Sequence, residues 1–215
     1  MEKRRSKRML GQLIDTLVGV VDRRNPYSTN MSSRVAKVAA EIAREMGIEE
    51  TEVKTIEVAA KLYGVGTVFV PTSVLTKTTP LSPREQRMID DAYRVSANLL
   101  KDVTFHGPIV ETIGQAGERW DGRGPLGIEG ETILLPARVV AVAVAFMGMI
   151  SVNARRDALS FDDAAARLLR AAGTFFDRRP VSALINILHN REGTKRWYHF
   201  RKRPKEAAKK ARGTQ

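Results

Sequence analysis

Apolar residues recur along this chain at i, i+3 and i+4 spacing almost throughout, and no window alternates convincingly with a period of two. Met9, Leu10, Leu13, Ile14, Leu17, Val20 and Val21 predict a first helix, which Asn25-Pro26 breaks. Val35, Val38, Ala39, Ile42 and Met46 mark a second, with Gly47 as its stop. A third helix is expected over 51–62, followed by a turn-rich stretch over 64–80. Ser82-Pro83-Arg84-Glu85 reads as an N-cap, a proline at the first helical position and a capping-box glutamate, with the helix running on to residue 100. Pro108 opens a further helix toward residue 120. Residues 121–130 hold four glycines and a proline and form a loop. Helices over 136–151, 162–172 and 177–188 complete the pattern. The fold class is all-α: one compact helical domain over 9–190, with no internal repeat.

At 215 residues, the chain suits one domain plus appendages. It has no cysteine, which excludes disulfides, thiolate nucleophiles, zinc fingers and iron–sulfur clusters. Its only histidines are His106, His189 and His199, too few and too scattered for a histidine-rich metal centre.

The net charge of +12 is concentrated at the ends. Residues 1–8 form a basic N-terminal segment of net +4, and residues 191–215 a basic tail of net +8, expected to be disordered or semi-helical. The stretch between them carries equal numbers of basic and acidic side chains, so any attraction to an anionic partner belongs to the ends. No secretory signal is read at the start, and the longest apolar run, the twelve residues 139–150, suits a buried helix better than a membrane span. The expected location is the cytoplasm.

Several separated segments share an order and spacing with one known family. Asn25-Pro26-Tyr27-Ser28 is followed by Ser32-Ser33-Arg34-Val35-Ala36. The stretch 59–81 reads AAKLYGVGTVFVPTSVLTKTTPL and ends in a P-x-x-I/V-L-x-K segment. Glu118-Arg119-Trp120-Asp121-Gly122-Arg123-Gly124-Pro125 comes next, then Gly130-Glu131, Pro136-Ala137-Arg138, Ala143, Ala145-Phe146, Gly173 and Phe176-Asp177. Over roughly residues 9–190 these resemble HD-GYP domains. The resemblance implies an all-α fold, and membership of a family that hydrolyses cyclic di-GMP with two or three metal ions held by histidines and aspartates.

Where that family carries its metal-binding side chains, this sequence departs from it. Met31 stands at the first-motif histidine, and Tyr63 and Gly64 at the HD pair, with Thr67 at the lysine that follows. Ala92 stands at the next histidine, Ala116 and Gly117 at the two before the glutamate, and Val144 at the aspartate of the apolar helix. The tyrosine of the GYP signature is missing between Gly124 and Pro125. The resemblance therefore implies a centre without its ligands: no metal and no cofactor is expected. Apolar replacements such as Val144, with Met147 and Met149 nearby, avoid the cost of an unpaired buried charge. The former site is then expected either to be packed as core or to remain as an empty cleft.

Other candidates have two readings each. Glu118 and Asp121 are remnants of a ligand shell or, more simply, helix-end and turn partners. Asp90-Asp91 reads as a solvated face, and the glycine-rich loop as a family turn rather than a phosphate cradle. Lys77 and Arg138 match basic family positions that would hold an anionic nucleotide, against ion pairing with Glu131 or Asp121. Lys195, Arg196, Trp197, Tyr198, Arg201, Lys202 and Arg203 interleave cations with aromatics. That pattern suits nucleic acid, an acidic protein partner or an anionic membrane surface, unless the aromatics fold back on the body.

The expected function is that of a catalytically inactive HD-GYP-like protein, a pseudoenzyme regulating or scaffolding cyclic-di-GMP-type signalling in bacteria. The alternatives are a nucleic-acid-binding protein and a metal-free cyclic-dinucleotide receptor. With only eight residues ahead of the helical body, regulation is expected to come through a protein partner. The apolar face of 9–21 is a candidate for homodimerisation.

Overall fold

The computed structural model describes residues 2–202. The first helix, α1, spans Glu2–Arg23, so it begins inside the basic segment expected to stand apart. α2 (Met31–Glu45) and α3 (Glu50–Leu62) form a hairpin turned by Gly47. Gly47 has φ 73°, its N–H bonds the carbonyl of Arg44, and the N–H of Ile48 bonds that of Ala43. This is the left-handed glycine cap, which a residue with a Cβ adopts only with strain. Ala36, Ala39, Ala40 and Ala43 on α2, with Ala59 and Ala60 on α3, are buried small residues that let the two helices approach closely.

A 3-10 turn (Val65–Phe69) and the short α4 (Thr72–Leu75) occupy the turn-rich stretch. The predicted capping box is present: the Glu85 N–H bonds Ser82 Oγ at 3.3 Å, and the Ser82 N–H bonds Glu85 Oε2 at 2.7 Å. The single helix expected as far as residue 100 is instead two, α5 (Pro83–Asp90) and α6 (Ala92–Leu100), broken at Asp91. The two pieces have different environments. α5 buries no residue, whereas α6 buries Ala92, Tyr93, Ser96 and Leu100. Ser96 locks α6 onto the 3-10 turn: its Oγ accepts from the Gly66 N–H and donates to the Tyr63 carbonyl, both at 2.7 Å.

α7 (Ile109–Gln115) is shorter than expected and leads into the loop 116–134. α8 (Leu135–Ile150) follows, then α9 (Phe161–Ala171) and α10 (Arg178–Asn190). α8 is apolar nearly all round, and Val139, Val140, Val142, Ala143, Phe146, Met147 and Ile150 are fully buried. It lies at the centre, packed by α2, α3, α7, α9 and α10. Among the described residues there is no strand, and no helix is long and apolar enough to cross a membrane.

The folded body continues past residue 190. α11 (Gly193–Trp197) and a 3-10 turn (Tyr198–Arg201) pack back onto it. Trp197 is 0% exposed, its ring 5.8 Å from that of Phe146, and Phe200 is buried beneath the Arg34 guanidinium. Arg196 pairs with Glu41 at 2.8 Å, and Arg201 Nε donates to the Leu159 carbonyl at 3.1 Å. The described part of the expected tail, residues 193–201, is therefore packed on the body. The aromatic pair Trp197 and Phe200, three residues apart, supplies the apolar face that its charge content obscured.

Because Trp197 is wholly enclosed, Trp197→Ala is expected to cost about 3–5 kcal/mol. Urea unfolding followed by circular dichroism measures this. A loss below about 1 kcal/mol, the level of an ordinary surface change, would separate residues 193–202 from the core.

Candidate functional site

Two adjoining cavities, of about 210 and 660 Å³, open between α2, the end of α3, the 3-10 turn, α6, the residues after α7, and α8. They share Tyr63, Gly64, Thr67 and Val144 as walls. The smaller is also lined by Met31, and the larger by Ala92, Ala116 and Gly117. The seven positions at which the family's metal ligands are expected thus converge on one open, largely apolar cleft, although they come from five parts of the chain. Of the two expected outcomes, a packed core or an empty cleft, the fold has the cleft.

The side chains in the cleft are adjusted to one another. Tyr63 and Tyr93 stack with ring centroids 5.6 Å apart and planes 3° from parallel. Burial pushes the Tyr63 phenol well above its ordinary range. A Cβ at residue 117 would collide with the Tyr93 Cζ and hydroxyl, so Gly117 is what allows that ring to lie there. Tyr93 is itself buried, and its hydroxyl has no protein partner.

Glu118 is also buried. Its Oε1 accepts from the Leu126 N–H at 2.8 Å, while its Oε2 has no protein partner. A Cβ at residue 124 would stand 2.5 Å from that Oε2, which accounts for Gly124. Glu118 therefore organises the loop. Asp121 is held at about 2, mainly by its bidentate bonds to Arg119, whose guanidinium lies 3.4 Å from the centre of the Phe175 ring.

The glycine-rich loop spends its N–H groups internally. Gly122 bonds the Arg119 carbonyl, Arg123 bonds Asp121, Gly127 bonds the Gly124 carbonyl and Gly130 bonds the Trp120 carbonyl. These are not aimed outward to cradle a phosphate. Asp90 and Asp91 lie along the larger cavity, where Asp90 accepts from Gln86 and Asp91 pairs with Arg94.

The two basic positions expected at the cleft line neither cavity. Lys77 is paired with Glu85 at 2.8 Å. Arg138 is buried, paired with Asp177 at 2.8 Å and placed over the Trp120 ring. Both make ion pairs, but not with the expected partners: Glu131 bonds Arg179, and Asp121 bonds Arg119.

The aromatic–cationic run is also divided. Trp197 is in the core and unavailable to a ligand, a correction to its reading as a binding residue. Lys195 pairs with Glu192, Arg196 with Glu41, and Arg201 with a backbone carbonyl. Tyr198 and Lys202 are exposed, and Arg203 lies outside the described residues. The three histidines stand away from the cleft. His106 lies beside α1, His189 ends α10, and His199 packs on Phe200.

Sequence reasoning missed two residues here. Asp22 is buried in the smaller cavity, accepting from the Ser32 N–H at 3.1 Å and its hydroxyl at 2.8 Å. Burial raises its carboxyl, against the lowering effect of those bonds and of Arg34. The signal for it was an aspartate on the apolar side of the first helix, next to Val18 and Val21. Tyr93 was the other, and its neighbour Ala92 drew attention to the wrong side chain.

The Tyr93–Gly117 contact predicts a coupled pair. Gly117→Ala is expected to destabilise by about 1–3 kcal/mol, as overpacking does. Most of that cost should vanish in a Tyr93→Ala background, as a double-mutant cycle in urea would measure. Equal costs in both backgrounds would mean that the ring does not oppose residue 117.

Comparison with known proteins places this fold and cleft in a family. A family model described as "HD domain" matches residues 15–179. The cyclic di-GMP phosphodiesterase response regulator RpfG of Xanthomonas campestris is 32% identical over 81% of this chain and 47% of its own length. A cyclic di-GMP phosphodiesterase of Thermotoga maritima is 25% identical over 83% and 49%. A 3'3'-cGAMP-specific phosphodiesterase of Vibrio cholerae is 26% identical over 68% and 34%. The chain spans less than half the length of each. Among solved structures, an HDG"Y"P protein from Bdellovibrio bacteriovorus superposes with a TM-score of 0.62 at 20% identity, covering 77% of this chain and 53% of that one. A cyclic GMP-AMP-specific phosphodiesterase of Vibrio cholerae superposes with the same score at 17% identity, over 89% and 53%. With more than half its length under the family model, and relatives named as cyclic-dinucleotide phosphodiesterases over most of the same span, the chain belongs to the HD domain family.

Proposed function

We propose that this chain is a catalytically inactive, cytoplasmic HD-GYP-type protein. In this reading it regulates or scaffolds cyclic-di-GMP-type signalling through a protein partner. The observation that carries the reading is the chemistry of the cleft. A hydrolytic metal needs carboxylate or imidazole donors converging at about 2.0–2.2 Å. Met31, Gly64, Ala92, Ala116, Gly117 and Val144 offer none, and the Tyr63 phenol is held protonated by burial. Among the described residues no three His, Cys, Asp or Glu side chains are grouped as a metal site would need. Of the carboxylates that line the cleft, Asp22 is engaged with Ser32, Glu118 with the Leu126 N–H, Asp90 with Gln86 and Asp91 with Arg94. The residues present do not fit the family's metal ions. Without them the cleft lacks a means to generate hydroxide and to clamp a phosphodiester.

A second reading, a metal-free receptor for a cyclic dinucleotide, is favoured by one observation. The cleft is open, it carries the stacked Tyr63–Tyr93 pair, and Arg123 stands on its wall. Aromatic faces and a guanidinium suit a base and a phosphate. Nucleic-acid binding through the tail loses two of its three stacking rings with Trp197 and Phe200 inside the core, and keeps Tyr198.

Two measurements test these readings. Incubation with cyclic di-GMP and excess Mn²⁺ or Fe²⁺ is expected to release no linear product, and turnover at a rate proportional to enzyme would overturn the proposal. Calorimetric titration of cyclic di-GMP in EDTA separates the readings. Saturable micromolar binding, weakened by Arg123→Ala, selects the receptor, and the absence of heat leaves the scaffold.

A further inference from the structure

We propose that the exposed face of α1 is an interface through which two copies of this chain pair antiparallel about a two-fold axis. α1 carries two apolar stripes. Val18 and Val21 are buried against the body, with Ile14 half-buried beside them. Among the described residues nothing covers the second stripe: Met9 is 58% exposed, Leu10 38%, Leu13 60%, Leu17 41% and Val20 57%. At 100° per residue the centres of the two stripes lie about 90° apart around the helix, so the body that takes the first leaves the second in solvent.

The spacing of the uncovered stripe indicates its occupant. Leu10, Leu13, Leu17 and Val20 follow the 3-4-3 rhythm of a helix-pairing seam. That rhythm is symmetrical about residue 15. An antiparallel second copy therefore sets Leu10 against Val20 and Leu13 against Leu17, and each copy offers the same patch. A self-complementary patch of this kind closes as a dimer rather than growing into a fibre.

Basic side chains are exposed at both ends of α1, Arg5 and Arg8 near its start and Arg23 in its last turn, so like charges meet in either direction and the symmetry of the apolar seam about residue 15 sets the pairing. Phe69, 64% exposed, stands on the 3-10 turn that packs against the C-terminal end of α1. The Arg24 guanidinium, bonded to the carbonyls of Thr67 and Val68, holds the 3-10 turn bearing Phe69 against the end of α1. The uncovered side chains present roughly 500 Å² of apolar surface, near the upper size that monomers leave in solvent. Two such patches bury about 1,000 Å², the low end of specific interfaces, so the dimer should be weak and reversible.

The experiment uses the full chain. Sedimentation velocity from micromolar to hundreds of micromolar is expected to show a monomer–dimer equilibrium. Leu13→Asp/Leu17→Asp should remain monomeric throughout with an unchanged urea midpoint. The chain has no cysteine, so single introduced thiols report geometry directly. Mild oxidation should cross-link Leu13→Cys mixed with Leu17→Cys, and neither variant alone, because only the 13–17 pair comes within disulfide reach. A wild-type chain that is monomeric at every concentration would overturn the proposal. So would self-cross-linking of Leu13→Cys, which marks a parallel pair. A monomer that sediments with equimolar phosphatidylglycerol–phosphatidylcholine vesicles, and loses this with Leu13→Asp/Leu17→Asp, would assign the stripe to lipid and overturn it equally.

Discussion

The architecture depends on burying α8. A helix with no polar face cannot sit at a surface, and eight of its sixteen residues are wholly enclosed. α2, α3, α7, α9 and α10 provide most of that cover, and Trp197 reaches Phe146 from beyond α10. The cleft is the place where the cover is incomplete. Ala141, Val144 and Ala145 form its apolar floor, and Gly148 lines the smaller cavity beside them. A carboxylate on that floor would need a cation or several donors to offset its desolvation, whereas valine needs neither. The fold and the chemistry of the site are therefore set by the same helix.

The walls of the cleft are joined by direct protein contacts. Ser96 ties α6 to the end of α3, the Tyr63–Tyr93 stack spans the same two elements, and Gly117 leaves room for the ring. On the other side, the buried Arg138–Asp177 pair ties α8 to the start of α10, where Asp177 also accepts from the Arg179 N–H. A buried ion pair of this kind contributes little net stability against an apolar equivalent. Removing one partner is costly, however, so the pair fixes α8 against α10, with the Arg138 guanidinium over Trp120, whose N–H bonds the Phe175 carbonyl. Arg138, which resembles a ligand-binding position when read along the sequence, is a structural cation in the fold.

Much of this was legible in the sequence because helical periodicity, caps and breakers are local. Gly47, the Ser82 capping box and the apolar run through 139–150 each specify their element without tertiary information. The family spacing brought Met31, Tyr63, Gly64, Ala92, Ala116, Gly117 and Val144 to one place, since motif order encodes topology. What escaped was set by contacts between distant residues. Tyr93 is informative only beside Gly117, twenty-four positions away, and Asp22 only beside Ser32. The break at Asp91 arises because α6 is anchored by Ser96 while α5 is free to follow the surface. The partners of Lys77 and Arg138 depended on which carboxylates the fold brought near.

The charge of the chain has to be read the same way. A basic run looks like a strip for an anionic partner when its residues are taken as equivalent, but the fold spends part of it. Arg196 reaches Glu41, Arg201 reaches a carbonyl, and the Arg34 guanidinium stacks over Phe200. Each exposed pair is worth at most about 1 kcal/mol, and the aromatic burial between them supplies the larger share of attachment. Cations paired in this way contribute little field beyond a Debye length of about 8 Å at physiological salt. Among the described residues, part of the basic run thus serves to fasten residues 193–202 to the body. Only charges left without a carboxylate or carbonyl remain to attract a partner.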